Sequence, residues 1–264
     1  MLKKIALAAA FAATASFATY NFFPVGNTHT GQVEIKGAYG WSEKANVDWS
    51  NMKIKLGAEY VVMDKLELSI FNLGYQLWNE PTDCDNCPDS DGLMAMTVGA
   101  RYWFMPMLGA ALDVNIPLNS EEAADGKFDP FGLYAAIQFS QELIPNLVLG
   151  SEAGLSYKFE DEDRTDGLGL TVQAEFDYTI ASIGLTPWIG GEFDMRISDV
   201  EEGKGQAKHE YGSGDSAFTL WIGAGYSINP MFYVKANFLM TFADEKESLG
   251  GDSMGVNAAL DINF

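Results

Sequence analysis

Charged side chains recur at every second position along several stretches of this chain, and that spacing decides what chemistry they do. Glu34, Glu59, Glu67, Asp113, Glu152, Glu160, Glu175, Asp177, Glu192, Asp194 and Asp261 alternate with mostly apolar residues, as do Lys36, Lys53, Lys55, Arg101, Lys158, Arg196 and Lys235. Residues i and i+2 share one face of an extended strand, so these groups gather on a polar face instead of scattering. With eleven acids against seven bases, such a face suits a hydrated path with a mild preference for cations. The same residues also suit a polar core cross-linked by ion pairs, and both readings stand at this point.

A second cluster lies in Asp83-Cys84-Asp85-Asn86-Cys87-Pro88-Asp89-Ser90-Asp91-Gly92. The chain opens with Lys3 and Lys4, an uncharged apolar run and small residues around Ala18, so residues 1–18 read as a signal peptide cut after Ala18. Export places Cys84 and Cys87 in an oxidising compartment, where a short-loop disulfide is the leading expectation. Two cysteines do not make a four-ligand zinc site. Asp83, Asp85, Asp89 and Asp91 supply hard oxygens that suit calcium, but their spacing is not that of the loop ending in a bidentate glutamate, and a solvated acidic loop is the plainer reading. No cofactor is expected. No cysteine sits near the cut, which disfavours a lipid anchor.

Catalysis has little to work with. His29 and His209 are the two histidines. His209, with Glu210 and Asp215, is the one acid-flanked candidate, and a charged segment carrying Lys204 and Lys208 reads more simply as solvated surface. The chain is expected not to be an enzyme.

The composition narrows the class that positions these groups. The formal charge is −21, from 16 basic and 37 acidic residues, which argues against nucleic acid as a partner. Hydrophobic residues at 47% are too many for a disordered chain. The one long uncharged apolar run, Ile5 to Ala18, is shorter than the roughly 20 residues of a spanning helix.

Beyond residue 30 the hydrophobic period is two, and twelve runs follow it: 33–41, 52–62, 66–78, 94–104, 108–118, 131–139, 147–159, 168–180, 185–197, 218–228, 232–242 and 254–264. In the third run the phase slips between Ile70 and Phe71, which predicts a β-bulge. Most runs exceed the ~5–6 residues common in soluble sandwiches and match the ~9–11 of a membrane strand. Short connections near Met63-Asp64, Met105-Pro106, Ile144-Pro145, Ala181-Ser182 and Asn229-Pro230 alternate with long, acidic ones at 42–48, 79–92, 119–129, 160–167, 199–215 and 243–252. Apolar-phase aromatics gather at the strand ends: Tyr60, Tyr102, Phe176, Tyr178 and Phe264 beside the short turns, Tyr39, Trp41, Tyr75, Phe131 and Phe159 beside the long loops. Polar-phase glycines, including Gly109, Gly154, Gly190, Gly223 and Gly225, either leave space in the interior or relieve strand curvature.

On this alternation the chain resembles the Gram-negative outer-membrane β-barrel proteins, small porin-like barrels among them. Leu260-x-Ile262-x-Phe264 looks like their final-strand signal, with Ala259 where a glycine is usual, and Val98-Gly99-Ala100-Arg101-Tyr102-Trp103-Phe104 with Pro106 is similar to one of their strand-and-turn phrases. The resemblance implies an all-β transmembrane antiparallel up-and-down barrel at 32–264, preceded by a periplasmic segment at 19–31. Short periplasmic turns and long outer loops, lipid around the barrel, and the barrel-assembly machinery as partner during insertion follow from it. The implied function is a passive channel for small hydrophilic solutes, the alternative being a non-conducting barrel whose acidic loops engage a partner.

Overall fold

The computed structural model describes residues 26–44, 47–79, 92–118, 131–160, 165, 167–202, 209–243 and 252–264. The leader at 1–18, Cys84 and Cys87, and Asp83, Asp85, Asp89 and Asp91 lie outside the described residues. Strands run β1 (31–44), β2 (47–63), β3 (66–79), β4 (92–93), β5 (96–105), β6 (108–116), β7 (132–144), β8 (147–158), β9 (167–178), β10 (185–196), β11 (200–202), β12 (209–211), β13 (216–227), β14 (232–243) and β15 (253–263). Twelve long strands pair antiparallel with their neighbours and close into a ring, since β1 also pairs with β15 and β2 with β3. The short strand β4 adds to β3, and β11 and β12 form a separate hairpin.

Burial follows the alternation. On β9, Val172, Phe176 and Tyr178 are exposed while Glu175 and Asp177 between them are buried. The same phase holds on β2, where Met52, Ile54, Leu56 and Tyr60 face out and Glu59 faces in. An apolar outside around a polar inside is the reverse of a soluble protein, and it fits lipid as the surrounding solvent. Among the described residues no helix is long and apolar enough to cross a membrane; the strands cross. Rings of both aromatic bands touch: Tyr60 stacks on Phe264 beside the turns, and Phe159 packs against Phe131 and Tyr157 beside the loops.

The turn residues explain the short connections. Lys65 and Asn146 adopt positive φ, of 68° and 70°, at the β2–β3 and β7–β8 reversals. The Asn229 side-chain carbonyl accepts from the backbone N–H groups of Met231 and Phe232 at 2.9 and 3.0 Å, an Asx turn that closes β13 onto β14.

The expected bulge is present, one position beyond Ile70–Phe71: Leu56 pairs with Leu73 and Ala58 with Ile70, so Phe71 and Asn72 oppose Gly57 alone. Asn72 takes φ of 58°, a conformation that asparagine tolerates well. Ile70 and Leu73 consequently both face out.

Three details differ from the sequence reading. No long loop spans 42–48, because β1 and β2 stay paired as far as Lys44 and Val47. The segment 199–215 carries the β11–β12 hairpin, too short for its alternation to register. Glu160 lies beyond the end of β8 and is exposed, so it belongs to the rim and not to the interior.

Two neighbours on β9 test which way the faces point. Val172→Arg should lower unfolding stability in bilayers by about 2–4 kcal/mol, the toll of arginine near the membrane midplane. Gln173→Arg, one residue on and beside Glu152 and Glu192, should change it by less than about 1 kcal/mol. Guanidinium titration of the refolded variants reads both.

Candidate functional site: the lumen

The interior is the candidate site, and its charged residues are unevenly spread. Lys53, Lys55 and Glu59 stand on β2, Lys36 and Glu34 on β1, Glu67 on β3, Arg101 on β5, Asp113 on β6, Lys235 on β14 and Asp261 on β15, so both signs share this side. Glu152, Glu175, Asp177, Glu192 and Asp194 stand on β8, β9 and β10, with Lys158 and Arg196 at the loop ends of β8 and β10. Counting round the ring, β2 and β9 are six strands apart in either direction, so the lysines of β2 and the acids of β9 occupy opposite walls.

Ion pairs cross-link the side that carries the lysines. Arg101 holds Asp113 through both terminal nitrogens, one contact at 2.9 Å, in a bidentate geometry that suits a guanidinium. Room for the pair comes from Gly99, where any Cβ would collide with the Asp113 carboxylate and the Ser69 hydroxyl. Lys235 bridges Glu34 at 2.6 Å and Asp261 at 3.0 Å, with Asp261 only 1% exposed. Lys55 donates to the Asn72 side-chain carbonyl at 3.0 Å, and Asn72 donates on to Thr97 at 3.4 Å, so the bulge serves as the seat for a lysine. A cavity of about 370 Å³ opens here, lined among others by Lys36, Lys55, Glu59, Arg101 and Lys235.

The acidic wall is held differently. Glu152 accepts hydrogen bonds from the Tyr134 hydroxyl at 2.6 Å and from the amides of Gln138 and Gln173 at 2.6 and 3.0 Å. Thr171 donates to Asp194 at 2.5 Å, and the Trp221 indole N–H donates to Glu175. Neutral donors satisfy a carboxylate without cancelling its charge. A smaller cavity, about 260 Å³, lies toward the loops between Lys158, Thr171, Asp194 and Arg196.

Parts of the turn-side half of the lumen are closely packed. Val61, Gln138, Glu175 and Asp261 are essentially inaccessible, and Trp103, Trp188, Trp221 and Tyr233 are nearly so. These inward aromatics escaped the sequence reading, which placed aromatic residues at the two interfaces. They decide what the glycines do: Trp188 pairs with Gly223 and Trp221 with Gly190, each indole lying where the glycine's Cβ would be. Tyr233 covers Gly225, Tyr134 covers Gly154 and Trp103 covers Gly109 in the same way. The glycines therefore leave room for rings and not for a wider passage. A detectable signal existed, since each of these aromatics stands in the polar phase of its strand.

His29 sits at the turn-side rim, its Nδ1 3.1 Å from the Tyr60 hydroxyl. Among the described residues no group of three or more His, Cys, Asp or Glu side chains is arranged to hold a metal ion.

No family model matches the chain, and no curated protein does. Solved structures do match in fold. The crystal structure of the COG4313 outer membrane channel from Pseudomonas putida F1 aligns at TM-score 0.68 and 12% identity, over 93% of this chain and 99% of that one. The NanC porin aligns at TM-score 0.56 and 10% identity, over 87% and 98%. LpxR from Salmonella typhimurium aligns at TM-score 0.54 and 13% identity, over 88% and 99%. The chain has the fold of the bacterial outer-membrane β-barrels.

Two substitutions probe the packing of the interior. Gly190→Leu should destabilise the barrel by about 1–3 kcal/mol by displacing the Trp221 ring. Lys235→Met should cost more, about 3–5 kcal/mol, because it removes the cation that bridges Glu34 and Asp261. Adding Glu34→Gln and Asp261→Asn to Lys235→Met should recover much of that loss in guanidinium unfolding of the refolded protein.

Proposed function

We propose that this chain is a passive channel for small hydrophilic solutes in the outer membrane of a Gram-negative bacterium, with a weak preference for cations. In this reading residues 1–18 direct export, the assembly machinery inserts the barrel, and the acids and bases of the inner wall line the path. The observation that carries it is the excess of acids on β8, β9 and β10, where Glu152, Glu175, Asp177, Glu192 and Asp194 stand against Lys158 and Arg196. Arg101 and Lys235 are spent in ion pairs with Asp113, Glu34 and Asp261. Glu152, Glu175 and Asp194 take bonds from tyrosine, glutamine, tryptophan and threonine, neutral donors that do not cancel a carboxylate's charge. A wall of that sign lowers the barrier for cations and raises it for anions. The likeness in fold to a channel and to a porin adds support.

A second reading has its own observation. The close packing of Trp103, Trp188, Trp221 and Tyr233 inside the barrel suits a non-conducting barrel whose outer loops do the work.

Planar-bilayer recording separates the two. The channel reading expects discrete openings of the refolded protein, and a reversal potential in a potassium chloride gradient displaced toward that of potassium. Absence of openings across salts and voltages rejects the channel, and displacement toward chloride rejects the cation preference.

A further inference from the structure

Among the described strands one phenylalanine stands in the inward phase. Phe71 pairs in register with Thr97, next to the outward pair of Ile70 and Val98, so the bulge in β3 aims an apolar ring at the polar lumen. Trp103, Trp188, Trp221 and Tyr233 are nearly inaccessible, whereas the Phe71 ring is half-buried and lines the cavity of about 370 Å³. That volume falls within the ~300–1,000 Å³ of small-ligand pockets. A ring left against water on a polar wall gains when an apolar surface covers it.

The rest of the lining is polar and carries both signs of charge. Among the described residues Lys36 and Glu59 take part in no hydrogen bond or ion pair, although Glu59 is only 8% exposed. Arg101, paired with Asp113 through its terminal nitrogens, keeps an unpartnered Nε. Buried polar groups of this kind favour a solute that supplies the missing bonds. A hydroxyl serves both signs, because it accepts from a cation and donates to a carboxylate. A solute of either net charge, by contrast, meets groups of its own sign in the same lining, Glu34 and Glu59 for an anion, Lys36 and Lys235 for a cation.

Resting on the channel reading for its place on a transport path, we propose that this cavity binds a neutral sugar ring, with one C–H face of a pyranose on Phe71 and its hydroxyls shared between Lys36, Glu59 and Arg101. A pyranose has both surfaces the cavity asks for, an apolar face and a rim of hydroxyls. An open-chain polyol has the hydroxyls without the face. The weak preference for cations does not select such a solute, since it carries no charge.

Saturation-transfer NMR on the refolded protein in lipid nanodiscs tests binding without requiring conduction. The probes are glucose, the open-chain polyol sorbitol, and the charged rings glucuronate and glucosamine. Glucose should bind severalfold more tightly than each of the other three. Phe71→Ala should weaken glucose binding severalfold, while Phe71→Trp, which keeps a ring, should retain it. Equal binding of glucose and sorbitol overturns the site, as does tighter binding of either charged ring or undiminished binding in Phe71→Ala. The comparison of probes on the native chain stands even if neither variant refolds. Swelling of proteoliposomes in glucose reads entry alongside. Entry with no preference in binding overturns the site while leaving the channel, and preferential binding with no entry overturns the channel while leaving the site.

Discussion

Every backbone N–H and C=O that enters hydrocarbon must be paired within the protein, because lipid offers no hydrogen bonds in exchange. For a chain of strands the only complete answer is closure, and the seam where β1 meets β15 supplies it. The register there is unbroken from Gln32–Asn263 to Ser42–Ser253. At the turn-side end Gly31 and Phe264 exchange backbone hydrogen bonds at 2.9 and 3.0 Å. The Phe264 ring lies over Gly31, where a Cβ would meet it and the Glu59 carbonyl, and stacks against Tyr60. Closure removes the edges that would otherwise draw another strand. It also fixes, for every residue, whether it sees lipid or lumen.

From that follows the distribution of charge. Once alternate residues face inward, the acids and bases of the sequence are confined together in a narrow polar space, where they pair, take neutral donors or contact water. The first two are both seen in this lumen. Around Gln138 and Glu175 rings and bonded polar groups pack until both side chains are inaccessible. Toward the loops the inner residues are partly exposed, as Thr171, Asp194 and Thr219 show.

Much of the architecture is legible from the residues alone, because lipid outside and water inside impose a period of two that nothing else in the chain disturbs. The run from Leu168 to Ile180 reads as a strand by its alternation, and Pro145 and Asn229 mark turns by their own chemistry. The bulge in β3 shows as a slip in phase beside Ile70. What alternation does not carry is the pairing of one inward side chain with another. That Gly190 lodges Trp221, or that Lys36 stands opposite Lys55, depends on register between strands that meet only in the folded ring. The polar-phase tryptophans hinted at it, since an indole facing the lumen needs a void beside it. The β11–β12 hairpin stayed hidden because three-residue strands are too short for a period to emerge.

The central claim is that successive residues of a strand look alternately at lipid and at an aqueous interior. Single spin labels along β9, from Leu170 to Asp177 in a background with Cys84 and Cys87 replaced by serine, report contact with oxygen dissolved in the bilayer. The account predicts high collision rates at Leu170, Val172, Ala174 and Phe176 and low rates at Thr171, Gln173, Glu175 and Asp177. A profile with no period of two, or with the phase reversed, contradicts it.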